Sequence, residues 1–362
     1  MLLVGALLMT PGCAARRSGV SGVPIDAAAP WSVEQARHVL EQGVSSEDAG
    51  LRAAAWVAWL SSEDPAVEPL MGRAVMDPSP VVQQELARRV PQVVGSWLAE
   101  RSGVDPLALA WLARSGVGVP MPTEEPWSLL IPLLNGQESM SEPIGRYVED
   151  EMDLPDSSLL AFLGSSGLVS LGEPLMRAAD RADSDVATEM RLAALALGST
   201  TACRHLINEA SSTEVLAWAL EVAVSQPTPE AVAAIRGLEG GRHDQMAKIA
   251  LAALGEGDIG SALSALKSED RDTRAWAAWA LERAPARPHM PREEIAVLQS
   301  TARDESPLAR ERSVRAIAVL GGVEWIPLEP PHPGPGIDRV DVFLAGMWLA
   351  KLTSEAPAGE AR

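Results

Sequence analysis

The sequence predicts an all-α chain, a right-handed α-solenoid of antiparallel helix pairs, and three observations carry that expectation. Apolar residues recur at three- and four-residue spacing in segments of about 10 to 15 residues, without the alternation of a half-buried strand. The breaks between segments fall at Asp, Ser, Gly and Pro, so short loops join the helices. The segments also resemble one another at a spacing of roughly 30 residues, which points to stacked repeats rather than a bundle.

Composition sets the outer limits. With 362 residues, 47% apolar and 22% charged, the chain can bury a sizeable core, which excludes wholesale disorder. A net charge of -19 repels phosphate backbones and removes the main affinity term of a nucleic-acid binder, so no nucleic acid is expected as a partner.

Taken in order, residues 1–13 form an apolar run, Leu2 to Met9, closed by Thr10-Pro11-Gly12-Cys13. The run is too short to cross a bilayer. With Gly12 before Cys13 it resembles the end of a bacterial lipoprotein signal peptide. That resemblance implies acylation of Cys13 and a chain held by lipid at the cell envelope, at the outer membrane or on the periplasmic face. The membrane would then be reached by the lipid anchor only. The alternative is a cytoplasmic protein whose N-terminus is simply apolar. Residues 14–30 hold Gly, Ser, Ala and Pro without hydrophobic periodicity, as a flexible tether does.

Residues 31–325 carry the repeats. Asp77-Pro78-Ser79-Pro80 returns in outline as Asp304-Glu305-Ser306-Pro307, and Glu68-Pro69-Leu70-Met71 returns unchanged as Glu173-Pro174-Leu175-Met176. Ala55-Trp56-Val57-Ala58-Trp59 is echoed by Ala275-Trp276-Ala277-Ala278-Trp279. Tryptophans three apart share a helical face, and a buried stripe is their expected role. In the second half, first helices are expected to start near Ser184, Thr213, His243, Arg271 and Ser306, in steps of 29, 30, 28 and 35 residues. Residues 91–170 are degenerate.

The stretch from Ala262 to Leu281 resembles the junction of two HEAT-like repeats of the phycobilin-lyase type: a leucine-rich second helix, an acidic turn, then the place of an aliphatic-Arg pair, where Thr273 departs and Arg274 keeps the basic member, leading an alanine-rich first helix. Leu51-Arg52 keeps the aliphatic-Arg pair and Val81-Val82 lacks the arginine, so a continuous ladder of Asp/Arg contacts is not expected. The resemblance implies a concave face lined by the second helices, here 65–76, 173–182, 200–210, 229–238, 258–267 and 291–302. It also implies a protein partner on that face.

Residues 326–337 form a Pro-rich linker with five prolines between Pro327 and Pro335, suited to polyproline II. Residues 338–353 read as a terminal helix, either a cap folded back on the repeats or a docking helix for a partner. Residues 354–362 read as a disordered tail.

The sequence offers no catalytic, cofactor or metal site. Besides Cys13 there is one cysteine, Cys203, two residues from His205, a spacing that does not turn both toward one ion on a helix; burial is its expected role. The five histidines show no i,i+4 pair, and no nucleophile elbow occurs. Gly255-Glu256-Gly257-Asp258-Ile259-Gly260 matches a dinucleotide-binding glycine string, but it follows a helical segment and carries two acids that would repel a pyrophosphate; a turn between helices is expected. Glu149-Asp150-Glu151 lacks the spacing of a calcium loop. The expectation is therefore a non-enzymatic protein-binding scaffold without cofactors. A cytosolic adaptor, or an enzyme on the same scaffold such as a bilin lyase, stands as the alternative.

Overall fold

Helices begin where a side chain or a proline deals with the first free backbone N–H groups, and the order of those starts lays out the chain. The computed structural model describes residues 30–152, 156–210, 212–284, 292–320, 322, 325–328 and 336–355. The signal-like segment with Cys13, residues 14–29 of the tether, 329–335 of the Pro-rich linker and 356–362 of the tail lie outside the described residues. Every regular element among the described residues is helical, and no strand occurs among them. They fall into two compact units: a middle unit, Met121–Ala265 with Arg283–Pro285, and an end unit that combines the chain up to Pro120 with Leu266–Glu282 and the chain from Ala286.

The end unit opens with α1 (Val33–Val44) and α2 (Ala49–Leu60). Ser32 and Gln35 form a capping box at α1, with the Ser32 Oγ accepting from the Gln35 N–H at 3.1 Å and Gln35 Oε1 accepting from the Ser32 N–H at 2.8 Å. Asp48 caps α2 by accepting from the N–H groups of Gly50 and Leu51. A 3₁₀ turn (Pro65–Leu70) leads into α3 (Met71–Val75), followed by α4 (Pro80–Arg89), α5 (Pro91–Ala99) and α6 (Pro106–Arg114). Proline at the first position of α4, α5 and α6 removes one donor that the helix could not satisfy. First helices α2, α4 and α6 pack in succession, and second helices α3 and α5 pack beside each other.

The middle unit contains α7 (Trp127–Leu134), α8 (Ser141–Arg146), α9 (Ser157–Ser165), α10 (Gly172–Ala179), α11 (Ser184–Ala196), α12 (Thr200–Cys203), α13 (Thr213–Ser225), α14 (Pro229–Gly237), α15 (Asp244–Leu254) and α16 (Ile259–Ala265). Here α9, α11, α13 and α15 form the row of first helices. Small residues let them approach: a methyl on Gly164 in α9 would sit 3.0 Å from the Ala193 Cα in α11. Helices α8 and α12 each run on into a five-residue π turn, Tyr147–Glu151 and Arg204–Asn208.

The last four helices, α17 (Arg271–Arg283), α18 (Arg292–Thr301), α19 (Pro307–Leu320) and α20 (Arg339–Glu355), complete the element order. The starts of α11, α13, α15, α17 and α19 fall within one residue of the five positions read from the sequence. Both tryptophan pairs are buried: Trp56 stacks on Trp59 with ring centres 6.3 Å apart, and Trp276 on Trp279 at 6.1 Å. Helix α20 packs mainly on α1 and α2, at the opposite end of the sequence, and touches α19 less.

Candidate interaction surface

Charge is organised differently in the two units, and that difference separates framework from surface. In the end unit a set of aspartates stands at helix starts, each receiving a side chain from an earlier helix. Arg37 of α1 holds Asp64 through Nε at 2.9 Å and Nη2 at 2.6 Å. Arg52 of α2 holds Asp77 in the same bidentate way, Arg274 of α17 holds Asp304, and Arg310 of α19 holds Asp338. Each of these aspartates also accepts from the N–H two residues on, those of Ala66, Ser79, Ser306 and Val340.

The place left without arginine at Val81-Val82 is filled by amides. Gln83 Nε2 donates to the Asp77 carbonyl at 3.0 Å, as Arg310 Nη1 donates to the Asp304 carbonyl, while Gln83 Oε1 accepts from the Asp105 N–H at 2.8 Å. Gln84 Nε2 then reaches the Asp105 carboxylate at 3.1 Å. The run of contacts from α2 through α4 to α6 thus continues with one neutral rung.

Asp64 is the most enclosed of these acids, 1% exposed. Burial opposes its ionisation, but Arg37, the Trp59 Nε1–H at 3.1 Å and the Ala66 N–H outweigh that and hold the carboxyl below the usual aspartate range. Asp304 is likewise held low, chiefly by Arg274. These contacts tie helix to helix.

A second knot gathers at the C-terminal ends of α4 and α6 and the middle of α19. Arg88 and Arg114 flank the Trp111 ring at 5.8 and 5.3 Å, Arg315 lies 4.9 Å over Phe343, and Glu85 and Glu311 pair with Arg88, Arg89 and Arg315. Burial, then the neighbouring Arg88, pushes the Arg89 guanidinium down to about 10, so it stays protonated at neutral pH.

The outward faces of the second helices differ. In the middle unit they are laced with ion pairs: Arg146 with Glu142, Arg177 with Glu149, Arg181 with Asp150, and Arg236 with Glu256. Glu142-Pro143-Ile144-Gly145-Arg146 is a further copy of the Glu-Pro motif, inside the stretch read as degenerate. In the end unit α5 and the end of α3 expose apolar side chains, as Val169 does just before α10 in the middle unit. Val93 and Trp97, four apart on one face of α5, point to solvent with Trp97 56% exposed, and Met76 at the end of α3 is 62% exposed. No protein-family model matches the chain, and none of the curated proteins matches it.

The residues singled out in the sequence take these places. Cys203 is buried, and burial pushes its thiol up, while its neighbour His205 is exposed and faces Glu209 at 3.2 Å; the two do not converge. The glycine string joins α15 to α16, with Gly255 at φ 75° closing α15 in a left-handed turn and Asp258 Oδ1 accepting from the Gly260 N–H. Glu149 and Asp150 serve the ion pairs to α10 and its end. Among the described residues no three His, Cys, Asp or Glu side chains come together as a metal site, and no helix is long and apolar enough to cross a membrane. Among the described residues of the second-helix segments anticipated, only 65–76 carries a large exposed apolar side chain, Met76; α5, which carries Trp97, is not one of those segments. The signal that could have found it is the helix start at Pro91, after which Val93 and Trp97 fall off the stripe formed by Val94 and Leu98.

Proposed function

We propose that this protein is a non-enzymatic protein-binding scaffold, a right-handed solenoid of HEAT-like helix pairs held at a bacterial cell envelope by a lipid on Cys13. The observation that carries the binding role is the exposed apolar face of α5, Val93 and Trp97, with Met76 on α3 in the same unit. A tryptophan exposed by more than half is the residue type that anchors protein interfaces, and its burial by a partner would supply a large share of the contact energy. The partner is a polypeptide that presents apolar side chains to this face. The repeat reading is supported by the recurrence of first-helix starts at roughly 30 residues and by the return of the aspartate contacts at α4, α19 and α20.

The test compares the native chain with a Val93→Ser, Trp97→Ser double variant, each used to capture envelope proteins from the native host. The variant is expected to keep its circular dichroism spectrum and to lose the captured partner; capture unchanged by the substitutions would sink the assignment of this face. Mass spectrometry of the N-terminal peptide checks the anchor: an acyl mass on Cys13, absent in a Cys13→Ala strain, is expected, and an unmodified Cys13 would overturn it.

A further inference from the structure

An arginine from the preceding first helix reaches an aspartate before α4, α19 and α20 alike, but Asp77 and Asp304 stand three residues ahead of their helices, where a serine takes the N-cap place, while Asp338 adjoins α20 itself. Asp338 accepts from Arg310 Nη2 at 2.9 Å and caps the helix it begins through the Val340 and Asp341 N–H groups. By this criterion α20 stands in the series as a first helix of a further repeat rather than as an added tail.

Its neighbours agree. Arg339 lies against Gly50, Gly346 against Ala58, and the Thr353 hydroxyl donates to the Ser62 carbonyl at 3.0 Å, so α20 runs parallel to α2 along its whole length. The end of α1, at Gly43, meets Val342 near the start of α20, so α1 runs antiparallel to it, as the second helix of a pair does. Helix α1 therefore serves as the second helix for α20, and the pair is assembled from segments at opposite ends of the described chain.

The seat is shaped for close approach. A methyl on Gly346 would lie 2.8 Å from the Ala58 Cβ and 3.3 Å from the Ala58 Cα and carbonyl oxygen. Helix α20 buries Val342, Leu344, Ala345, Trp348 and Leu349, and Val342 stands against Gly43 of α1.

We infer that the groove formed by α1 and α2 is a helix-binding site, that α20 is its ligand, and that the site can be emptied and refilled by a free copy of this helix while the rest of the chain stays folded. Everything that holds α20 there is non-covalent: apolar burial, the Thr353 hydrogen bond and the Arg310–Asp338 pair. The ligand class is an amphipathic helix with a small residue at the crossing and an acidic cap at its start. A second copy of the chain can offer the same helix, as segment exchange requires. This inference does not depend on the binding role proposed for α5.

The experiment uses the full chain with a protease site inserted between Pro333 and Gly334, cleaved after folding, and a fluorescent peptide of residues 336–355 as probe. The cleaved chain is expected to keep its helical spectrum and to take up the labelled peptide, whereas the uncleaved chain takes up little. A peptide carrying Gly346→Leu is expected to compete at least about tenfold less well, because the Ala58 backbone cannot move aside. Loss of the helical spectrum on cleavage, no exchange below the unfolding midpoint, or uptake indifferent to Gly346→Leu would each overturn the inference.

Discussion

At the scale of single residues, Asp64 shows how one acid serves several helices at once. It starts the turn that leads to α3, takes both guanidinium hydrogen bonds of Arg37 from α1 and satisfies the indole of Trp59 in α2. Replacing it with alanine strands a buried indole donor and removes a helix start, so Asp64→Ala is expected to cost about 3 kcal/mol at pH 7, read from chemical denaturation. The pH dependence follows from the depressed carboxyl. Its contribution is complete above the ordinary aspartate value of 3.8 and is lost as pH falls through the lower value of the folded state. The gap between native and variant stability should therefore close on the acid side of pH 4; a gap that persists there would show that the charge of Asp64 is not what stabilises. The Arg52 contact is legible in the sequence because Leu51-Arg52 keeps a recognisable pair. The Gln83 contact is not, because an amide and a guanidinium share a hydrogen-bonding role without sharing a sequence pattern.

At the scale of elements, helix starts are the most readable feature of the chain. Asp, Ser, Thr and Pro act within one turn of where they stand, so local sequence suffices to place α11, α13, α17 and their neighbours. The stretch 91–170 is harder because α7 and α8 are short and π or 3₁₀ turns extend the helices around them, which shifts the apolar period. Exposure of Trp97 becomes legible only once Pro91 is taken as the start of α5, because Val94 and Leu98 then make the buried stripe without it. Helix crossings depend on long-range contacts that no local pattern reports. A methyl on Gly43 would stand 2.6 Å from the Ala55 Cβ and 3.2 Å from the Val342 side chain, where α1 meets α2 and α20 together. Gly43→Val is accordingly expected to destabilise the end unit by about 3 kcal/mol, seen as a lower denaturant midpoint, even though valine adds apolar surface. A midpoint that is unchanged would mean that the three helices have slack at their crossing.

At the scale of the whole molecule, the two units have different relations to the sequence, and their folding should show it. The middle unit is one continuous stretch, Met121–Ala265 with a few residues added, whose helices pack on near neighbours in the chain. The end unit has to bring α20 to α1 and α2 across nearly the full length of the chain, and the cost of closing that connection is met only when the seat is filled. The two units should therefore behave unequally. A fragment of residues 121–265 is expected to be helical and to melt cooperatively by itself. A fragment of residues 30–120 keeps α1 to α6 but lacks the helix that covers Gly43 and Ala58, and it is expected to melt cooperatively at a lower midpoint than it shows when residues 266–362 are supplied as a second fragment. Circular dichroism melts of the separate and mixed fragments read this directly. A midpoint of 30–120 that the second fragment leaves unaltered would show that α20 adds nothing to the stability of the helices it covers.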